Sequence, residues 1–76
     1  MVWQDRISVD PQVLVGKPVI TGTRIAVEFI LDLLSESWSH AQILENYPQL
    51  NQDDIQAALH YAAEALRQER VYPLPV

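Results

Sequence analysis

The chain contains no cysteine. That excludes a disulfide framework and a thiolate metal site, and it fits a reducing compartment. Histidine is almost as scarce: only His40 and His60 are present, with no His-x-x-x-His or Glu-x-x-His spacing. A metal centre in the usual arrangement therefore lacks ligands. Neither a metal nor another cofactor is expected. Long apolar runs are also missing, and nothing approaches the roughly 20 residues that a membrane span needs. Residues 1–10 include Asp5, Arg6 and Asp10 and hold no apolar leader segment. No membrane association is expected, and the cytoplasm is the expected location. Glycine is limited to Gly16 and Gly22. Basic residues are few, five against ten carboxylates, for a net charge of −5.

What is present amounts to one small domain. A chain of 76 residues buries only about 60% of the surface its unfolded form exposes. Without disulfide or metal staples, helix packing and self-association must supply the remaining stability. A homodimer or higher homo-oligomer is expected. The charge is unevenly placed. Residues 1–27 carry three cations against two carboxylates, and residues 28–76 carry two against eight. The acidic second part disfavours non-specific nucleic-acid binding, which depends on Lys and Arg displacing counterions. It favours a basic protein partner.

The chain is organised around Gly16-Lys17-Pro18-Val19-Ile20-Thr21-Gly22-Thr23-Arg24, which holds both glycines and two of the five cations. The residues before it read as a short extended lead-in. Ile7 and Val9 alternate with polar neighbours, the period of a half-buried strand. Val13, Leu14 and Val15 fit either one helical turn or an extended bridge. Val19 and Ile20 read as a second strand. Pairing 6–9 with 18–21 gives an antiparallel ribbon, which must rest on helices or on another chain to be stable. Gly16 and Gly22 are expected to supply turns with φ > 0. A phosphate-cradling loop needs Ser or Thr after Gly-Lys, and Pro18 stands there instead.

Three helices are expected to follow. The first spans about Ala26 to Glu36, with Val27, Ile30, Leu31 and Leu34 on one apolar face. Phe29 and Leu33 lie off that face, as part of a wider core stripe or an oligomer contact. Trp38 covers the next joint. Ser39 with Gln42 forms a capping box. Ala41, Ile43 and Leu44 form the apolar side of the short second helix, which Tyr47-Pro48 stops. Asn51 caps the third helix, and Asp53 and Asp54 suit its dipole. Its apolar stripe is Ile55, Ala58, Leu59, Ala62, Ala63 and Leu66. The fold expected is mainly α: a two-stranded ribbon and a three-helix, homeodomain-like bundle over residues 3–70, with an extended tail at 71–76. The last two helices and their short turn follow a helix-turn-helix plan.

Gly16-Lys17-Pro18-Val19-Ile20, then Gly22-Thr23-Arg24-Ile25 and Val27, resembles the hallmark of the family known as domain of unknown function 433. Ile7 and Asp10-Pro11 resemble its lead-in. Ser39, Ile43, Leu44, Tyr47-Pro48, Leu50, Asp54-Ile55, Ala58-Leu59 and Tyr61-Ala62 resemble its second half, in order. The resemblance covers about residues 5–65. It implies small bacterial and archaeal proteins with a ribbon and a homeodomain-like bundle. Many are regarded as antitoxins of type II toxin–antitoxin pairs, with a PIN-like nuclease as toxin and operator DNA as a second partner. This chain departs from the family pattern at Val15 and at Ser37, each standing where family members often carry glycine.

The candidate contact residues follow. Arg24 contacts a DNA phosphate or a partner carboxylate, or it forms an internal ion pair to Asp10, Glu28 or a neighbouring subunit; the internal pair is preferred. Lys17 has the same choice, with solvent exposure as a third. Thr21 and Thr23 bond either backbone or phosphate, with capping preferred. Gln52, Gln56 and His60 lie on the outer side of the third helix, where glutamine can read adenine. Asp53 and Asp54 there would repel phosphates. Gly16, Pro18, Gly22, Tyr47 and Pro48 are structural. Ser35, Ser37 and Ser39 near His40 suit helix ends better than a hydrolase site. The aromatic residues suit core and interface. The expected function is therefore recruitment: an antitoxin binding a PIN-like toxin, or alternatively a DNA-binding regulator or a dimerisation module. No catalysis is expected.

Overall fold

Ile7 and Ile20 are the two ribbon residues whose side chains the helices can cover, and their pairing sets the register. In the computed structural model, which describes residues 1–68, β1 (Ile7–Val9) pairs antiparallel with β2 (Pro18–Ile20). Ile7 stands opposite Ile20, Ser8 opposite Val19 and Val9 opposite Pro18. Ile20 is buried and Ile7 packs against the core. The ribbon thus lies on helices of its own chain. The expected tail at 71–76 and the expected domain end at residue 70 lie outside the described residues.

The lead-in is not extended throughout. Trp3–Arg6 forms a 3-10 turn that packs along the third helix. Aromatic contacts account for this better than local propensity does. Trp3 stacks on His60 at 6.0 Å between ring centroids and meets Tyr61 edge-on at 6.4 Å. In Val13–Val15 only Val13 is extended. A second 3-10 turn covers Leu14–Gly16, with Leu14, Val15 and Gly16 all at positive φ.

Three helices follow the ribbon: α1 (Val27–Ser35), α2 (His40–Asn46) and α3 (Gln52–Gln68). Ile20, Ile30, Ile43 and Ile55, one from β2 and one from each helix, are the largest fully buried side chains. The core is where these four elements meet. On α1 the buried residues are Val27, Ile30 and Leu33, with Leu31 and Leu34 half-buried. Leu33 therefore belongs to the core, because α2 and α3 cover a face turned further than the heptad-like spacing indicates. Phe29 stays partly exposed and packs edge-on against Tyr47, with centroids 5.3 Å apart. On α2, Ile43 is buried and Leu44 half-buried, whereas Ala41 is exposed.

The joints explain why the helices end where they do. The Ser37 N–H donates to the Leu34 carbonyl, and the Trp38 N–H to the Leu33 carbonyl. This double closure is the Schellman motif, with Ser37 at φ 70° in the left-handed position usually taken by glycine. Trp38 then packs over the joint. Ser39 and Gln42 form the reciprocal capping box of α2. At α3, the Asn51 side-chain oxygen accepts from the Asp54 N–H and the Asp54 carboxylate accepts from the Asn51 N–H, each at 3.0 Å.

The expected apolar stripe of α3 divides in two. Ile55 and Ala58 are buried, but Leu59 is 38% exposed and Leu66 62% exposed, with Ala62 and Ala63 between them half-buried. Helix length is the reason. The 17 residues of α3 reach about 25 Å, whereas the nine of α1 reach about 13 Å, so the far half of α3 outruns its cover. No helix among the described residues is long and apolar enough to cross a membrane.

Candidate interaction surface at the ribbon-to-helix joint

The joint is a loop, Thr21–Arg24, whose two ends are tied together. The Ile20 N–H donates to the Ile25 carbonyl at 3.0 Å, and Val19 bridges Ala26 in antiparallel fashion. Inside the loop Gly22 takes φ 81°. A side chain there would be strained by the backbone alone, since nothing lies close to the position of its Cβ. Thr23 clasps the loop across its neck. Its Oγ1 donates to the Ile20 carbonyl at 2.8 Å and accepts from the Ile25 N–H at 3.0 Å. Thr21 is held on the other side. Its Oγ1 donates to the Asp5 carbonyl at 3.2 Å and lies 2.7 Å from the Ser8 hydroxyl. Both threonines are thus engaged within the chain.

Arg24 projects from this braced loop and is exposed. It forms neither of the internal pairs considered for it, to Asp10 or to Glu28. Lys17 takes Glu28 instead, Nζ to Oε1 at 2.6 Å. The hydrogen bond that Lys17 donates to Glu28, and then the charge of Glu28, hold the Lys17 ammonium above the ordinary lysine value of 10.5. Arg6 pairs with Asp54 at 3.0 Å and Asp53 at 3.5 Å, and Arg67 pairs with Glu64 at 2.9 Å. Among the cationic side chains of the described residues, Arg24 is the one with no ion pair or hydrogen bond. Glu28, one of the two partners considered for Arg24, is thus taken by Lys17.

Arg6 is the residue that sequence reasoning missed. It holds Asp54, only 5% exposed, and Asn51 Oδ1 at 3.3 Å. This ties the lead-in to the start of α3. Its partners lie 45 to 48 positions away, and no local spacing announces such a pair.

The three candidate base-reading residues of α3 are not equivalent. Gln52 Nε2 lies 2.8 Å from His40 Nδ1, linking α3 to α2. Gln56 is half-buried. His60 carries the Trp3 ring on its face. Asp53 remains exposed at the helix start. Beside α3 runs an apolar groove of about 460 Å³ that includes Pro18, Val27, Leu31, Ala62, Ala65 and Leu66. The Lys17–Glu28 pair also borders it. Two of the three serines near His40 have structural partners: the Ser35 hydroxyl donates to the Asp32 carbonyl and Ser39 caps α2. Among the described residues no three His, Asp or Glu side chains converge as metal ligands.

The family model described as "Protein of unknown function (DUF433)" matches residues 7–62. The chain belongs to the DUF433 family. Both glycine turns, the clasped loop and Arg24 fall inside the matched span. Among solved structures, the chain is similar to a DUF433 member protein from Anabaena variabilis ATCC 29413, determined by crystallography at 2.00 Å resolution. The two are 32% identical with a TM-score of 0.79, over 86% of this chain and 64% of that one. This chain therefore spans somewhat under two thirds of the length of that DUF433 protein. No curated protein matches.

Proposed function

We propose that this DUF433 protein is a recruitment module that binds and neutralises a PIN-like nuclease toxin, as the antitoxin of a type II pair. It performs no chemistry of its own. The observation that carries this reading is the unpaired Arg24 on a loop braced by Thr23 and Gly22. An always-charged, bidentate donor held out from an otherwise self-paired surface suits a carboxylate on a partner. A toxin surface that offers a carboxylate would match this exposed guanidinium.

DNA binding by α3 is the second reading, and the charges weigh against it. Proteins that hold duplex DNA neutralise about 6 to 10 phosphates. On the described surface only Arg24 is an unengaged cation, and Asp53 stands at the start of the helix. A DNA contact fits best after a toxin has joined and contributed cations of its own.

Affinity capture from the native host tests the proposal. A small nuclease-like protein encoded beside this gene is expected to co-purify, and its expression alone is expected to arrest growth. Recovery of no such protein, together with harmless expression of every neighbouring gene, removes the reading.

A further inference from the structure

The turn Trp3–Arg6 reaches α3 through the side chains at its two ends. Trp3 lies against the His60 and Tyr61 rings. At the other end, Arg6 Nη1 donates to Asp54 Oδ1 at 3.0 Å and to Asn51 Oδ1 at 3.3 Å. No residue of the turn is fully buried, so the turn lies on the helical core rather than in it. Its seat is built without it. The second Asp54 carboxylate oxygen accepts from the Asn51 N–H, and the Asn51 side chain accepts from the Asp54 N–H. These bonds fix the carboxylate whether or not a guanidinium stands before it. The family match begins at residue 7, so the seat at residues 51–61 lies inside it and the turn does not.

We propose that Trp3–Arg6 is an autoinhibitory strap: it fills in cis a peptide seat on α3 that a segment of a partner protein fills in trans. The chemistry of the segment follows from what the strap leaves behind. Asp54 is buried, and a buried carboxylate without a cation is strongly destabilising. A displacing segment therefore brings an arginine for Asp54 and, about one turn away, an aromatic ring for His60 and Tyr61. The cavity of about 540 Å³ beside the ion pair is lined by Asp5, Asp53 and Asp54 together with Arg6. Carboxylates outnumber guanidinium there, which draws in a basic protein surface and repels phosphate. Opening leaves the ribbon intact, because Ile7 stays paired with Ile20. The Thr21 hydroxyl, which holds the Asp5 carbonyl, keeps Ser8 as its other partner. The proposal concerns α3 and the strap, not Arg24, and does not rest on the antitoxin reading.

A free peptide with the sequence of residues 1–8 tests it, read by nitrogen–proton correlation spectra of the full chain. Trp3→Ala/Arg6→Ala releases both anchors and is expected to bind the peptide, with shift changes centred on residues 51–61. The wild type is expected to bind it about tenfold more weakly or less, since a strap closed in about nine molecules of ten lowers the apparent affinity by that factor. The same peptide carrying Trp3→Ala or Arg6→Ala is expected to give no shifts. Trp3→Ala alone keeps the Arg6–Asp54 pair, and is expected to fold and to bind the peptide with intermediate affinity. Equal binding by the wild type and both variants overturns the inference. So do shifts centred elsewhere, and the absence of binding to a folded variant. Unfolding of both variants overturns it as well, because the strap would then belong to the core. No toxin enters this measurement, so its failure is distinguishable from failure of the functional proposal.

Discussion

At Val15 and Ser37 the backbone turns left-handed without the help of glycine, at φ 56° and 70°. For an L-residue that conformation costs about 1–2 kcal/mol, partly offset by the entropy that glycine would lose on folding. Both sites are exposed, Val15 at 95%, so no packing holds these side chains in place. Val15→Gly and Ser37→Gly are each expected to raise stability by about 0.5–1 kcal/mol in urea unfolding. No gain from either would mean that the turn is not strained. Lys17 makes a different prediction at the same scale. Its partner raises its titration above the ordinary 10.5. The pair's contribution is therefore fully present below 10.5 and is lost as pH rises through the higher folded value. Melting temperatures of the wild type and Lys17→Met should converge at high pH. At neutral pH any difference between them should shrink with added salt. Asp54 is the costliest of these residues to lose. Asp54→Ala removes a cap and the buried partner of Arg6, and is expected to destabilise by about 2–3 kcal/mol in denaturant titration.

The elements depend on their joints. Removing the capping hydroxyl with Ser39→Ala is expected to cost about 1 kcal/mol in the same titration. The 3-10 turn Trp3–Arg6 straps α3 through the stacked Trp3 and His60 rings and the Arg6–Asp54 pair. Trp3→Ala is expected to speed amide exchange in residues 3–9 well before it affects α1. Equal acceleration everywhere would show the strap to be part of the global core. Helix starts and the strand pair were legible in the sequence, because Ser39, Gln42, Asn51 and alternating Ile7 and Val9 act through short-range chemistry. The strap was not legible, since it depends on partners dozens of positions away. The same limit explains Leu33 and Leu66. Periodicity marks both as apolar but does not say which helix outruns which. At the joint, Gly22 and Thr23 were readable as turn and cap. Of the pairs considered for Arg24, those to Asp10 and Glu28 do not form, and Glu28 is held by Lys17, a partner choice that local spacing does not announce.

For the whole molecule, charge and exposure divide the labour. The described helices hold an acidic surface, and most described cations are tied to it. What remains outward is one guanidinium on a braced loop and an apolar face along the far half of α3. A partner using the first needs carboxylates. A partner using the second needs apolar side chains of its own. Thr23→Val separates bracing from contact. It leaves Arg24 in the chain but unclasps the loop, so it is expected to weaken binding less than Arg24→Ala does. The decisive measurement is calorimetric titration of the proposed toxin, the nuclease-like protein expected to be encoded beside this gene, into the wild type and into Arg24→Ala. At least a tenfold loss of affinity, about 1.4 kcal/mol, is expected for the variant with its fold intact. Equal affinity of the two, or no heat of binding with the wild type, would contradict the account.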